Sequence, residues 1–124
     1  MKKVALLFVV LILVPVFLVG QTIENLSFIS PFNEGLAAIK KDNQWAFINQ
    51  EGSIVLNFRN DLVTTKLNRE EYPVFINNRC LISKEINGIS YFGYIDSSGK
   101  TIIEPIFLNA QNFENNEAIV LKLT

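Results

Sequence analysis

The sequence contains no histidine and only one cysteine among its 124 residues. The missing histidine excludes Ser-His-Asp and Cys-His catalytic arrangements and removes the commonest metal ligand. The single cysteine, Cys80, excludes an intramolecular disulfide. It falls inside a predicted strand with no basic group predicted beside it, which favours a buried structural thiol over a reactive nucleophile. An intermolecular disulfide is the alternative.

Charge of either sign is also scarce. Charged residues make up 19% of the chain and the net charge is −1. Without Lys2 and Lys3, nine basic residues face twelve acidic ones. A surface with that balance argues against a nucleic-acid partner, which requires positive charge.

The only long hydrophobic run lies at the N-terminus. Residues 4–19 carry no charge, follow Lys2 and Lys3, and precede Gly20. This order is typical of a secretory signal peptide cleaved near Gly20. An uncleaved signal anchor is the competing interpretation, because the run approaches the ~17 residues that span a bilayer. Either interpretation predicts a signal helix over residues 1–20 and one secreted or periplasmic domain over residues 21–124.

The remaining chain repeats itself with a period near forty residues. Phe32, Phe75 and Phe113 begin three copies at spacings of 43 and 38 residues. Four later positions of each copy also correspond: Gly35, Asn78 and Asn116; Ala37, Cys80 and Ala118; Ile39, Ile82 and Val120; Lys41, Lys84 and Lys122. Residues 45–49 further match residues 92–96. The sequence therefore predicts about two and a third repeat units, of which the last is incomplete.

Turn residues divide each copy into short strands. Asp42-Asn43 and Asn87-Gly88 predict two-residue hairpin turns, and Gly52 and Gly99 mark the turns that follow. We predict strands over residues 36–41, 44–49, 54–58, 79–85, 90–96, 101–104 and 117–123, with Pro105 ending the pairing of its strand. Residues 59–73 are predicted to form an exposed excursion with a short helical turn around residues 68–71. The fold class is all-β, in repeated antiparallel meanders of about three strands.

This pattern resembles the WG-repeat family of bacterial proteins. The first copy carries the resemblance at Phe32, Glu34, Gly35, Leu36, Ala37, Ile39, Lys40 and Trp45, and the second at Gly93, Tyr94, Ile95, Asp96, Gly99, Ile102, Ile103 and Pro105. Each copy keeps half of the name-giving dipeptide, as Trp45-Ala46 and as Phe92-Gly93. The resemblance implies a protein that acts in interactions. It supplies no catalytic residues.

The main functional expectation rests on the incomplete number of repeat units. Repeat arrays are stabilised by neighbouring units, so terminal units leave sheet edges partly uncovered. An uncovered edge is a site for strand addition. We therefore expect a non-enzymatic, extracytoplasmic module that binds a protein partner or its own copies through sheet edges and residues 59–73. No catalytic, cofactor-binding or metal-binding residue is predicted.

Two other function classes stay open at this point. Trp45, Phe47, Phe92 and Tyr94 could form an aromatic face for carbohydrate or cell wall, although their recurrence favours a shared core stripe. A hydrolase would have to use Glu70, Glu71 or Asp96. Adjacent carboxylates on a loop do not span a cleft as sugar hydrolysis requires. Asp96 is instead predicted to accept backbone hydrogen bonds in its own turn, which offers too few ligands for calcium.

Overall fold

The computed structural model describes residues 23–123, and the signal helix predicted over residues 1–20 lies outside them. The described residues confirm the all-β class, because their regular elements are all strands and pair antiparallel. The strands are β1 (Phe28–Ile29), β2 (Ala37–Lys41), β3 (Gln44–Ile48), β4 (Ile54–Arg59), β5 (Thr65–Leu67), β6 (Glu70–Tyr72), β7 (Cys80–Ile86), β8 (Ile89–Ile95), β9 (Thr101–Phe107), β10 (Asn109–Ala110) and β11 (Val120–Leu121). Within residues 23–123, no helix is long and apolar enough to cross a membrane.

Each repeat unit begins with a short strand or a single bridge that the sequence analysis missed. The first unit, residues 28–59, forms a sheet in the order β1-β2-β3-β4. In the second unit, residues 61–107, a bridge from Leu62 to Ile82 takes the place of β1 beside β7-β8-β9. The third unit, residues 109–123, contains the pair β10-β11. The first unit is thus a four-stranded meander, one strand more than predicted, whereas the second has the predicted three strands and the Leu62 bridge.

Two-residue turns organise every unit. The predicted hairpins at Asp42-Asn43 and Asn87-Gly88 are confirmed, with φ of 50° and 63° in the first and 52° and 79° in the second. Two successive positive φ values define the type I′ turn, whose twist suits antiparallel strands. The same conformation recurs after each leading phenylalanine, at Glu34-Gly35, Asn77-Asn78 and Asn115-Asn116. Glycine and asparagine recur there because they tolerate the left-handed region best.

Aromatic pairs join one unit to the next. The Phe75 ring packs edge-on against Phe47 of the first unit, with centroids 4.7 Å apart. The Phe113 ring packs edge-on against Tyr94 of the second unit at 4.9 Å. Phe47 and Tyr94 are equivalent residues of the repeat, so both junctions use the same contact. The Arg79 guanidinium also lies over the Phe113 ring, 4.8 Å from its centroid.

A ladder of hydrogen bonds connects the turns of successive units. The Glu34 carboxylate accepts the backbone N–H groups of Asn77 and Asn78 at 2.7 and 3.0 Å. In the next step, Asn77 Oδ1 accepts the backbone N–H of Asn116 at 2.8 Å. These bonds satisfy amides that a tight turn leaves free. They fix the register in which each unit stacks on the one before it.

The prediction for residues 59–73 is wrong in its main features. β4 continues to Arg59, Leu62 joins the sheet of the second unit, and β5 and β6 form a hairpin instead of a helical turn. The hairpin turn is Asn68-Arg69, with φ of 49° and 72°. Tyr72 at the end of β6 is buried and stacks on Phe28 with centroids 5.8 Å apart. The segment therefore contributes Leu62 and Tyr72 to the core, although the charged side chains of its hairpin are exposed.

Pro105 does not end the pairing of its strand, contrary to the prediction. β9 runs through it to Phe107, which pairs with Phe92, while Ile103 pairs with Tyr94. Glu104, Pro105 and Ile106 therefore all lie opposite Gly93, which makes a bulge of three residues against one. Proline is compatible with a bulge because the unpaired residues there need not donate to the ladder.

The bulge explains why the second unit has glycine in the name-giving dipeptide. A Cβ on Gly93 would lie 2.6 Å from Pro105 N and 2.7 Å from Glu104 C, and would also collide with Ile103 O. In the first unit only Asn57 and Phe58 face the equivalent residue, Ala46. That smaller bulge leaves room for a methyl group, which is fully buried.

Candidate interaction surface

The outer strand of the third unit has an open edge. β11 pairs with β10 on one side and with no other strand of residues 23–123. Its counterparts in the first two units, β2 and β7, are paired on both sides. The predicted strand over residues 117–123 is confirmed only at Val120 and Leu121. The described part of the third unit thus contains half of a sheet.

Apolar side chains that are buried in the first two units are exposed in the third. Ile119 is 73% exposed, whereas its counterparts Ala38 and Leu81 are 0% and 5% exposed. Val120 is 39% exposed, whereas its counterparts Ile39 and Ile82 are 0% and 5% exposed. Leu121 and Leu123 extend the exposed apolar surface along the chain. We use the name open edge for residues 118–123 together with the unpaired side of β11.

The backbone of the open edge is ready to pair. The carbonyl groups of Ile119 and Leu121 accept hydrogen bonds from Gln111 and Leu108 on the β10 side. Successive residues of an antiparallel strand direct their backbone groups to opposite sides. The N–H and C=O of Val120 therefore point away from β10. The equivalent residue Ile39 pairs with Ala46 of β3 in the first unit.

Most of the aromatic face proposed for carbohydrate is core. Trp45, Phe47 and Tyr94 are 7%, 1% and 1% exposed, and Phe92 alone is half-buried. The Tyr94 hydroxyl donates to the Gln111 carbonyl at 2.6 Å, and burial raises the pKa of Tyr94. Phe47 and Tyr94 join successive units, Trp45 packs within the first unit, and these three rings do not form an exposed platform.

The carboxylates considered for hydrolysis do not converge. Glu70 and Glu71 are exposed successive residues of β6, and successive side chains of a strand point to opposite faces. Asp96 Oδ1 accepts hydrogen bonds from the Ser98 hydroxyl and from the Ser98 and Lys100 amides at 2.6, 2.9 and 3.0 Å. The Ser98 hydroxyl, ahead of the two amides, lowers the pKa of Asp96. The predicted turn role of Asp96 is confirmed.

Cys80 is a buried thiol, as predicted. Its side chain is fully inaccessible and free of any disulfide. Burial raises the pKa of Cys80 to about 12, which keeps the sulfur protonated at neutral pH. A protonated, inaccessible thiol is a poor nucleophile. Within residues 23–123, no group of three or more acidic or cysteine side chains is placed to hold a metal ion.

The repeats also match a known family. A family model described as WG containing repeat matches residues 25–45 and 92–122. The resemblance inferred from the sequence is therefore confirmed. The unmatched residues between them include the inserted hairpin β5-β6, which separates the bridge residue Leu62 from Phe75.

The two matched segments begin and end at different residues from the sheets of the repeat units. Residues 92–122 begin at Phe92 in the second unit and end beyond β11 in the third, so the match includes the junction between them. The comparison with curated proteins gives no match, and neither does the comparison with solved structures. The family therefore supports the repeat architecture.

Proposed function

We propose that this WG-repeat protein is a non-enzymatic, extracytoplasmic interaction module that binds a partner protein through the open edge. The observation that carries the proposal is the exposure of Ile119 and Val120, whose counterparts in both preceding units are buried by a paired strand. A partner strand that pairs with Val120 would bury this surface by β-augmentation. The extracytoplasmic location is supported by the signal-like residues 1–20.

A proline substitution tests this proposal without disturbing the sheet. Val120→Pro removes an N–H that points away from β10, so the β10-β11 pairing is retained. The matched control Val120→Thr keeps this donor and the β-branched shape. Each protein is expressed as the full chain with Glu51→Cys, an exposed turn position, and is coupled to a resin through that thiol. The buried Cys80 leaves a single reactive site.

The coupled proteins are incubated with envelope and culture-medium extracts. We expect one protein to be retained by the parent and by Val120→Thr, and to be lost with Val120→Pro. Retention by all three forms would contradict binding at the open edge. If the chain itself is the retained protein, sedimentation of Val120→Pro should show the loss of self-association.

A further inference from the structure

A cleft of about 430 Å³ lies at the junction between the second and third units. Leu81 and Phe92 form its floor, and residues 63–65 and 109–112 form its two walls. Asn112 Nδ2 donates to Thr65 Oγ1 at 2.7 Å and ties the walls together. The lining residues carry no formal charge. Its volume falls in the range of small-ligand pockets, about 300–1,000 Å³.

The corresponding space at the first junction is filled by the protein itself. The three residues before Phe75 are Tyr72, Pro73 and Val74, and all three are buried. The Tyr72 ring stacks on Phe28 at 5.8 Å. The three residues before Phe113 are instead one small and two polar residues, Ala110, Gln111 and Asn112. Tyr72 belongs to the hairpin inserted after Leu62, whereas Ala110, paired with Val120, is the counterpart of Leu62, paired with Ile82. The second junction therefore lacks the inserted tyrosine.

The floor of the cleft also lacks an aromatic contact that is present in the first unit. Phe92 is the counterpart of Trp45, whose ring meets Phe28 edge-on at 5.8 Å. The counterpart of Phe28 in the second unit is Asp61, which is held by Arg59 at 2.6 Å. Among the aromatic contacts of residues 23–123, none involves Phe92. Its ring is half-buried and faces the cleft.

We infer that the cleft binds an aromatic side chain from an extended segment of a partner protein. The first junction shows the chemistry that fits, because Tyr72, followed by Pro73 and Val74, is buried there against Phe28, the ring that also contacts Trp45. An uncharged lining disfavours a charged side chain, whose desolvation would be uncompensated. A ring over Phe92 would form the aromatic pair that this position lacks. The inference rests on the proposed interaction function but concerns a surface other than the open edge.

The test uses a peptide copied from the first junction. Acetyl-Glu-Tyr-Pro-Val-Phe-amide reproduces residues 71–75, and the same peptide with alanine for tyrosine is the matched control. Each is titrated into the ¹⁵N-labelled protein, purified after expression of the full chain. We expect the amide signals of Val63, Leu81 and Ala110 to shift as peptide is added, with a dissociation constant in the low-millimolar range. The alanine peptide should bind at least tenfold more weakly.

Two substitutions locate the binding site. Ala110→Tyr supplies the missing ring from within and should reduce peptide affinity at least tenfold, whereas Ala110→Ser should leave it unchanged. Phe92→Leu keeps an apolar floor without the ring and should weaken binding several-fold. Spectra without peptide establish that each variant is folded.

Several outcomes would overturn the inference. Equal binding of both peptides, or shifts confined to β11, would remove the cleft from the interaction. Binding of chito-oligosaccharide in place of the tyrosine peptide would assign the cleft to sugar. The amide signals of the cleft are also compared between chains with and without residues 1–20. If they differ, and the chain that keeps these residues binds no peptide, the chain's own N-terminal segment is the occupant. Val120→Pro should not alter peptide binding, so failure here is separate from failure at the open edge.

Discussion

Gly93→Ala is the substitution whose effect follows most directly from the backbone. The added methyl group would meet Ile103 O, Pro105 N and Glu104 C, the last two at 2.6 and 2.7 Å. Contacts this short are not found for real Cβ atoms. The obstacles belong to the backbone of β9, so no side-chain rotation can relieve them. Either β9 moves away from β8 or the bulge changes its register.

The loss of unfolding free energy in Gly93→Ala follows from this collision. Forcing a methyl group into a packed site costs about 1–3 kcal/mol, and a rigid backbone obstacle favours the upper half of that range. In a domain of this size each kcal/mol lowers Tm by about 4–8 °C. We therefore expect Gly93→Ala to lower Tm by roughly 10–20 °C.

Calorimetry and hydrogen exchange together test the reasoning. Exchange should accelerate in the β8-β9 pairs around Phe107, while the β7-β8 pairs stay protected. The control Ala46→Gly makes the opposite change at the equivalent position. It should cost about 1–2 kcal/mol through lost methyl burial and added backbone freedom, without a local opening of β4. A Gly93→Ala protein whose Tm stays within about 3 °C of the parent would refute the argument.

Three further predictions concern the junctions and the core. Phe75→Ala should lower the free energy of unfolding by about 3–5 kcal/mol because its ring is 1% exposed, whereas Phe32→Ala at the equivalent, 47% exposed position should cost less than about 1 kcal/mol. Urea titration measures both, and equal losses would contradict the junction contacts. Glu34→Ala removes two hydrogen bonds to the next turn and should cost roughly 1–3 kcal/mol, while Glu51→Ala should be neutral in the same assay. Burial raises the pKa of Cys80 from 9.0 to about 12. The folded state therefore gains the full stabilisation from its protonated thiol below pH 9 and should lose it as the pH rises towards 12. Cys80→Ala should show a shallower loss of unfolding free energy over that interval, and identical pH profiles would contradict the burial.

The sequence was most informative where a local pattern decides the conformation. Asp42-Asn43 and Asn87-Gly88 predicted their hairpins, because two adjacent residues that tolerate positive φ are sufficient for a type I′ turn. The spacing of the leading phenylalanines predicted the repeat. Cys80 could be placed in the core because it aligns with two alanines of the other units.

The errors arose where contacts distant in sequence decide the outcome. The hairpin β5-β6 was missed because its turn residues, Asn68 and Arg69, lie among charged residues that look like a solvated loop. Its burial depends on Tyr72 finding Phe28, more than forty positions away. Pro105 was misread because a bulge is a property of two strands and is not visible in either alone. The cleft becomes visible only when the two junctions are compared, because the inserted Tyr72 lies at the first and no such insertion precedes Phe113 at the second.

The third unit shows that a junction can order a unit whose sheet is only half formed. Phe113 is held between Tyr94 and Arg79, and the Asn116 amide is held by Asn77 of the preceding turn. These contacts position β10 and β11, although no further strand of residues 23–123 pairs with β11. A partner strand at the open edge would therefore meet a backbone that is already extended and fixed. Binding then has to order the partner alone, which lowers its entropic cost and favours an edge built in this way as a recognition surface.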